Sequence, residues 1–388
     1  MRKSLVARTT VRLAVVLAML CMLAVLGACS SQPVNTAPAN DNTAADASAG
    51  VPAAQPAAEL AAQPAAEPEY IAIIGSDTWR EANGSFHLEG SDLQMVMRLD
   101  YENGVISLLT LPRDTFYDNA VGYSFDGGSC QCSKCQGSTS NKANYAFHYG
   151  FYSVWDGSNY EDAVIAGAER CTEMISRALD VSVKRYAVVD LYTIQDIVDT
   201  FGGLEANLPF PIVNFTFYSG QSAVSLDAGW QTLSSWDAMV ATRARVPYKT
   251  LANDGAFEPY FSMLQIGGAL EQDGTRQFVC RRLMTHLMDA GLKWGDSDLL
   301  MRFVNNGNVI TNVPADEFCT WYDKLYALRG NITVHAASVN NLLGEAVEVN
   351  GVAQWVVPYR EEAFKAAASE LVAGTTISSG YGVEDMAL

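Results

Sequence analysis

Four charged residues lie near one another along the chain: Asp77, Asp92, Arg113 and Asp114. Carboxylates beside an arginine suit a hard divalent cation and a phosphate. Magnesium takes oxygen ligands, commonly one or two carboxylates completed by phosphate oxygens. The planar guanidinium fork grips phosphate through two parallel hydrogen bonds. A plainer reading uses the same residues: turn aspartates cap loops, and Arg113 pairs with its neighbour Asp114. A second group lies further along, where Arg243 and Arg245 follow a predicted helix and Arg276 opens another. The chain carries a net charge of −18. Three arginines near helix ends in so acidic a background fit an anionic ligand, although surface ion pairs would use the same residue types. The acid excess argues against a nucleic acid partner.

The elements that must position these groups follow from hydrophobic periodicity. Tyr70–Gly75 (YIAIIG) is a short apolar run ending at glycine, which suits a buried strand. Leu93–Leu99 (LQMVMRL) is a second strand, and Glu102-Asn103-Gly104 carries the Asn-Gly signal of a tight hairpin turn. Val105–Leu111 (VISLLTL) is a third strand, stopped by Pro112. If the first two strands run antiparallel, Asp77 and Asp92 share one end of the sheet. The hairpin then returns Arg113 and Asp114 to that same end. Beyond it, Val164, Ala168, Cys171, Ile175 and Leu179 recur at helical spacing within 161–179, Arg185–Val189 reads as a strand, and Ile194, Ile197, Val198 and Phe201 form another helical stripe before Gly202-Gly203. Further helices are predicted over 235–242, 275–290 and 316–328. The sum is an α/β fold, a mixed sheet with helices on both faces.

The N-terminus points to export. Arg2, Lys3, Arg8 and Arg12 precede an uncharged, mostly apolar run from Leu13 to Ala28. That run is short for a spanning helix, which needs roughly 20 residues, and it fits a signal h-region. It closes on Leu26-Gly27-Ala28-Cys29-Ser30, which resembles a bacterial lipoprotein cleavage box and makes Cys29 the expected lipidation site. An uncleaved signal anchor is the alternative. Residues 30–69, rich in Ala and Pro, cannot bury enough apolar area to offset their ordering entropy and read as a tether. The expected organisation is therefore a signal over 1–29, a tether over 30–69 and one folded domain over 70–388. Six of the eight cysteines lie beyond the leader. Cys130, Cys132 and Cys135 have spacing compatible with zinc, but outside the cytoplasm a disulfide-pinned loop is the expectation. No Gly-x-Ser-x-Gly, Walker loop or His-Glu-x-x-His is present.

Six blocks carry a resemblance to a known family. They are IIGSDTWR (73–80), SDLQMVMRLD (91–100), VISLLTLPRDTFYD (105–118), NKANYAFHYG (141–150), RYAVVDLYTIQDIVDTFGGLEANLP (185–209) and LSSWDAMVATRAR (233–245). Their order and spacing resemble the LytR–CpsA–Psr family. The resemblance implies an α/β domain with a largely antiparallel central sheet. It also implies a magnesium-dependent phosphotransferase at the extracytoplasmic face of the cell membrane, attaching an anionic glycopolymer from a polyprenyl diphosphate carrier to peptidoglycan. Asp77 and Asp92 fall on the family's metal-site aspartates. Arg113, Arg243 and Arg245 fall on its diphosphate-binding arginines, as does Arg276 in the preferred register. Arg113, Asp114 and Asp77 are the expected catalytic residues. The family's lipid lies in an apolar tunnel between sheet and helices.

Two departures stand out. The arginine that commonly precedes the second aspartate is replaced here by Gly90-Ser91. The glutamine expected four residues after Arg276 is Cys280, unless the register shifts by three onto Arg276-Gln277. A non-catalytic lipoprotein that binds polyprenyl diphosphates or wall polymer is the rival reading, and hydrolysis of the carrier with water as acceptor is a third.

Overall fold

The computed structural model describes residues 67–77, 79–80, 86–87, 90–117, 142–208, 211–215, 223–243, 265–266, 269–270, 272–294, 309–341, 345–349 and 352–387. Cys29, the cysteine trio 130–135 and Arg245 lie outside them. The elements used below are, in chain order, β1 (Glu69–Ser76), β2 (Ser91–Asp100), β3 (Val105–Thr110), α1 (Tyr145–Val154), α2 (Tyr160–Leu179), β4 (Arg185–Val189), α3 (Leu191–Thr200), β5 (Leu204–Leu208), β6 (Gly229–Leu233), α4 (Ser235–Arg243), α5 (Gln272–Trp294), β7 (Val309–Thr311), α6 (Ala315–Leu328), β8 (Thr333–Ser338), α7 (Glu361–Ala373) and β9 (Tyr381–Ala387).

Seven strands form the central sheet in the order β7-β4-β1-β2-β3-β8-β9. Only β1–β4 and β3–β8 are parallel; the other four pairings are antiparallel. Successive strand residues face opposite sides, and this alternation divides the apolar residues between two cores. Ile71 and Ile73, with Met95 and Met97 opposite them, pack under α3, α4, α5 and α6. Ala72, Ile74 and Val96 pack against α1, α2 and α7. Both faces are thus covered, as expected for central strands that read as near-continuous apolar runs.

Three features depart from the sequence reading. The β2–β3 connection is not a two-residue turn: Asp100 pairs with Val105 across a four-residue loop. The Asp100 carboxylate accepts from the Asn103 backbone N–H at 3.1 Å and from its amide at 2.9 Å, and Gly104 adopts φ +64°. The signal for reversal is present, and the Asp100 side chain lengthens it. Second, YAFHYGFYSV forms α1, which periodicity did not announce. Six consecutive residues, Ala146 to Phe151, are buried, so the helix lacks the polar face that makes an amphipathic stripe legible. Its close approach to α2 depends on glycine: a Cβ at Gly150 would stand 2.4 Å from the Ala166 carbonyl oxygen. Third, β8 and β9 complete the sheet, with β8 joining β3 in parallel from Thr333↔Val105 onward. No described helix is long and apolar enough to cross a membrane.

Candidate active site

Antiparallel β1 and β2 place Asp77 and Asp92 at the same end of the sheet, with Ser76 directly opposite Ser91. Asp92 is the second residue of β2 rather than a residue before it. Asp77 closes the intervening loop. Its backbone N–H donates to the Gly90 carbonyl at 3.2 Å, and its Oδ1 accepts from the Gly90 N–H at 2.9 Å. Pro112 ends β3, and the chain turns Arg113 back over this end. The Asp92 carboxylate is held between two arginines, with Oδ1 against Arg113 and Oδ2 against Arg243. Arg243 is the last residue of α4, where a cation also meets the negative end of the helix dipole. Residues 151 positions apart thus meet at one carboxylate. Asp92 and Arg113 side chains keep only 14% and 16% of their exposure, so solvent screens the contact less than it would at the surface.

Asp114 keeps the local ion pair considered in the sequence and gains a closer, distant partner. Lys142 Nζ lies 3.1 Å from Asp114 Oδ1, whereas Arg113 Nε is 3.8 Å from Asp114 Oδ2. The Lys142–Asn144 segment is fixed by backbone bonds: Ala143 N–H to the Thr115 carbonyl at 2.8 Å, and Asn144 N–H to the Arg113 carbonyl at 3.0 Å. The same segment accounts for Gly90-Ser91. The Asn144 carbonyl accepts from Ser91 N–H at 3.1 Å. A Cβ at Gly90, whose φ is +156°, would sit 2.6 Å from that carbonyl oxygen. A side chain does not fit there without moving the loop, so the missing arginine is a steric consequence of how 142–144 packs. Arg276 lies in α5, whose side chains are described from 279 to 290.

Beneath the charged cluster runs a narrow apolar cleft. It lies between the sheet and α3, α4 and α5, with Leu93, Val189, Ile197, Leu204 and Leu283 among its walls; Asp92 and Arg243 also line it. Cys280 lines it too, its thiol within 3.5 Å of the Thr242 carbonyl. A cleft lined by aliphatic side chains that also carries an ion-pair cluster suits an amphiphile with an anionic head. Sequence reasoning missed one residue here, Asp190. It follows β4, lines the cleft and caps α3, its Oδ1 accepting from Thr193 N–H and from the Thr193 hydroxyl, each at 2.8 Å. The signal was available as an Asp three residues ahead of a Thr at a strand-to-helix junction. Among the described residues, no three His, Cys, Asp or Glu side chains converge as a metal group.

Comparison with known proteins agrees with this architecture. By fold the chain is similar to B. subtilis TagV, with 15% identity, a TM-score of 0.53, and coverage of 79% of this chain and 97% of that one. It is similar to gbs0355 of Streptococcus agalactiae at 16% identity and TM-score 0.52, covering 79% and 88%. TagT bound to LI-WTA aligns with 14% identity and TM-score 0.48, covering 79% and 90%. No curated protein matches the chain. The LytR_cpsA_psr family model matches residues 35–250. With more than half of its length matched, the chain belongs to the LytR–CpsA–Psr family.

Proposed function

We propose that the protein is an extracytoplasmic phosphotransferase that moves an anionic glycopolymer from a polyprenyl diphosphate carrier to peptidoglycan. The observation that supports this reading most is the apolar cleft lined also by Asp92 and Arg243. The polyprenyl chain would lie along the aliphatic walls and the diphosphate would meet Arg113 and Arg243. Family membership supports the reaction class. Lipidation at Cys29 would hold the folded part near the membrane that supplies the carrier.

The arginines are positioned before substrate arrives, because Asp92 already holds both. An incoming phosphate oxygen replaces that carboxylate with little rearrangement of the guanidinium planes. An acceptor hydroxyl then attacks the phosphorus next to the glycan, and the bridging P–O bond breaks. Polyprenyl phosphate departs carrying the electron pair. Negative charge grows on the leaving group, so fixed cations stabilise the transition state more than the ground state. The donor chemistry fits magnesium: Asp77 and Asp92 offer only hard oxygen at one sheet end, and when bound the cation would neutralise diphosphate oxygens. Asp114, steadied by Lys142, would accept the hydroxyl proton.

The test is polymer transfer to a peptidoglycan acceptor from a synthetic polyprenyl diphosphate donor, with and without chelator. Transfer that requires a divalent metal is expected. Donor binding with no transfer under any metal condition would instead establish the non-catalytic binding lipoprotein, and release of free polymer to water would establish the hydrolase.

A further inference from the structure

Helix α5 has a second functional side. Cys280, Leu283, Met284 and Leu287 face the apolar cleft, whereas Arg282 and His286 line a separate, more open groove. In a helix of 3.6 residues per turn these two sets lie on different faces. The groove is completed by the antiparallel β5–β6 pair, which supplies Asn207 and Trp230, and by β9, which supplies Glu384 and Asp385.

We infer that this groove binds a neutral pyranose chain, with Trp230 as the stacking platform. Trp230 is 67% exposed, against 39–48% for the other exposed large apolar side chains among the described residues. It stands directly opposite Asn207 in the antiparallel β5–β6 register, on the outward face, while Leu204, Ala206 and Leu208 point into the core. The indole is not loose. It meets the His286 ring edge-on at 5.1 Å, and His286 Nε2 accepts the Asn207 backbone N–H at 3.1 Å. An exposed indole braced on one side by the His286 ring offers aromatic surface to a ligand. The axial C–H groups of a pyranose are the positively polarised partner that an aromatic π face attracts.

Charge selects a neutral sugar over an anion. Arg282 Nε is bound to Glu384 Oε1 at 2.6 Å. Asp385 is engaged by His335 Nδ1 and by the Thr376 hydroxyl, each at 2.7 Å. With histidine neutral, the groove's lining therefore sets one cation, Arg282, against two carboxylates, Glu384 and Asp385, unlike the Asp92 site, where two arginines share one carboxylate. A phosphate-bearing ligand would find no cationic surplus here, and a chain of net charge −18 repels it further. Hydroxyl groups, which both donate and accept, can add to these ion pairs without breaking them.

The inference goes beyond the transfer reaction and is tested without it. The full chain is titrated with chitotetraose and cellotetraose, following indole fluorescence and heat. Saturable binding with Kd on the order of 1 mM is expected for at least one of them. Trp230→Ala should weaken it by about tenfold or more, with Trp230→Phe intermediate. An unchanged melting temperature in Trp230→Ala establishes that the fold is intact. Farnesyl diphosphate binding at the arginine cluster should be the same in both proteins. The proposal is overturned if neither oligosaccharide saturates, if Trp230→Ala binds as well as the unmodified chain, or if inorganic phosphate displaces the sugar. A chain inactive as a transferase still gives a clear answer here, because no transfer step is read.

Discussion

Replacing Asp92 by Asn should separate donor binding from transfer. In the free protein the Asp92 carboxylate occupies one donor group on each of Arg113 and Arg243. A diphosphate must displace it, so the carboxylate competes with substrate. Asn keeps the shape and removes the charge. Charge-assisted hydrogen bonds contribute roughly 1.5–3 kcal/mol. Arg243 keeps 25% of its side-chain exposure, so water takes up part of what the carboxylate gives up. A tightening of donor affinity of about two- to tenfold is expected. Transfer should move the other way, by about tenfold or more, because one of the two proposed metal-binding carboxylates is gone. Arg113→Ala should lower both, by roughly 10- to 150-fold, since it removes a bond to phosphate with nothing in its place. The assay pairs a fluorescence titration with farnesyl diphosphate and the polymer-transfer rate, each normalised to folded protein by thermal melt. If Asp92→Asn weakens donor binding as much as Arg113→Ala does, Asp92 is not a competitor for the arginines and the clamp argument is wrong.

Two further outcomes concern stability. Gly150→Ala should destabilise the chain by about 1–3 kcal/mol through overpacking, because the new methyl would meet the Ala166 carbonyl oxygen and the Gly167 Cα at 2.4 and 2.7 Å; a melting temperature equal to that of the unmodified chain would contradict the α1–α2 contact. Acid should loosen the junction between α7 and β9. Burial raises the Glu370 pKa, but hydrogen bonds from Ser378 and Ser379 outweigh it and hold the carboxyl below the usual 4.5. A carboxylate with depressed pKa contributes stability above its unfolded value, and that contribution is lost as pH falls through the folded one. Unfolding midpoints measured from pH 6 downward should fall below about pH 4.5, and less steeply in Glu370→Gln; identical profiles would remove Glu370 from the account.

Much of the site was legible from local sequence. The strand runs at 70–75, 93–99 and 105–111 carry their own period and stops, and once β1 and β2 are antiparallel, chain connectivity alone carries Asp77, Asp92, Arg113 and Asp114 to one end of the sheet. Helices α2 and α3 were likewise written in their stripes, because each keeps one wet face. What local pattern does not encode is which distant groups meet. That Asp92 is shared by Arg113 and Arg243, that Lys142 reaches Asp114, and that Asn144 excludes a side chain at position 90 all depend on separate segments docking to within a hydrogen bond. Helix α1 was silent because burial all round removes the polar side that periodicity needs. The parallel partner β8 was silent because it arrives at β3 from more than 200 residues away. Composition likewise left a tunnel and a packed core indistinguishable, since aliphatic side chains line both; only the spacing of α3, α4 and α5 over the sheet leaves the cleft between them.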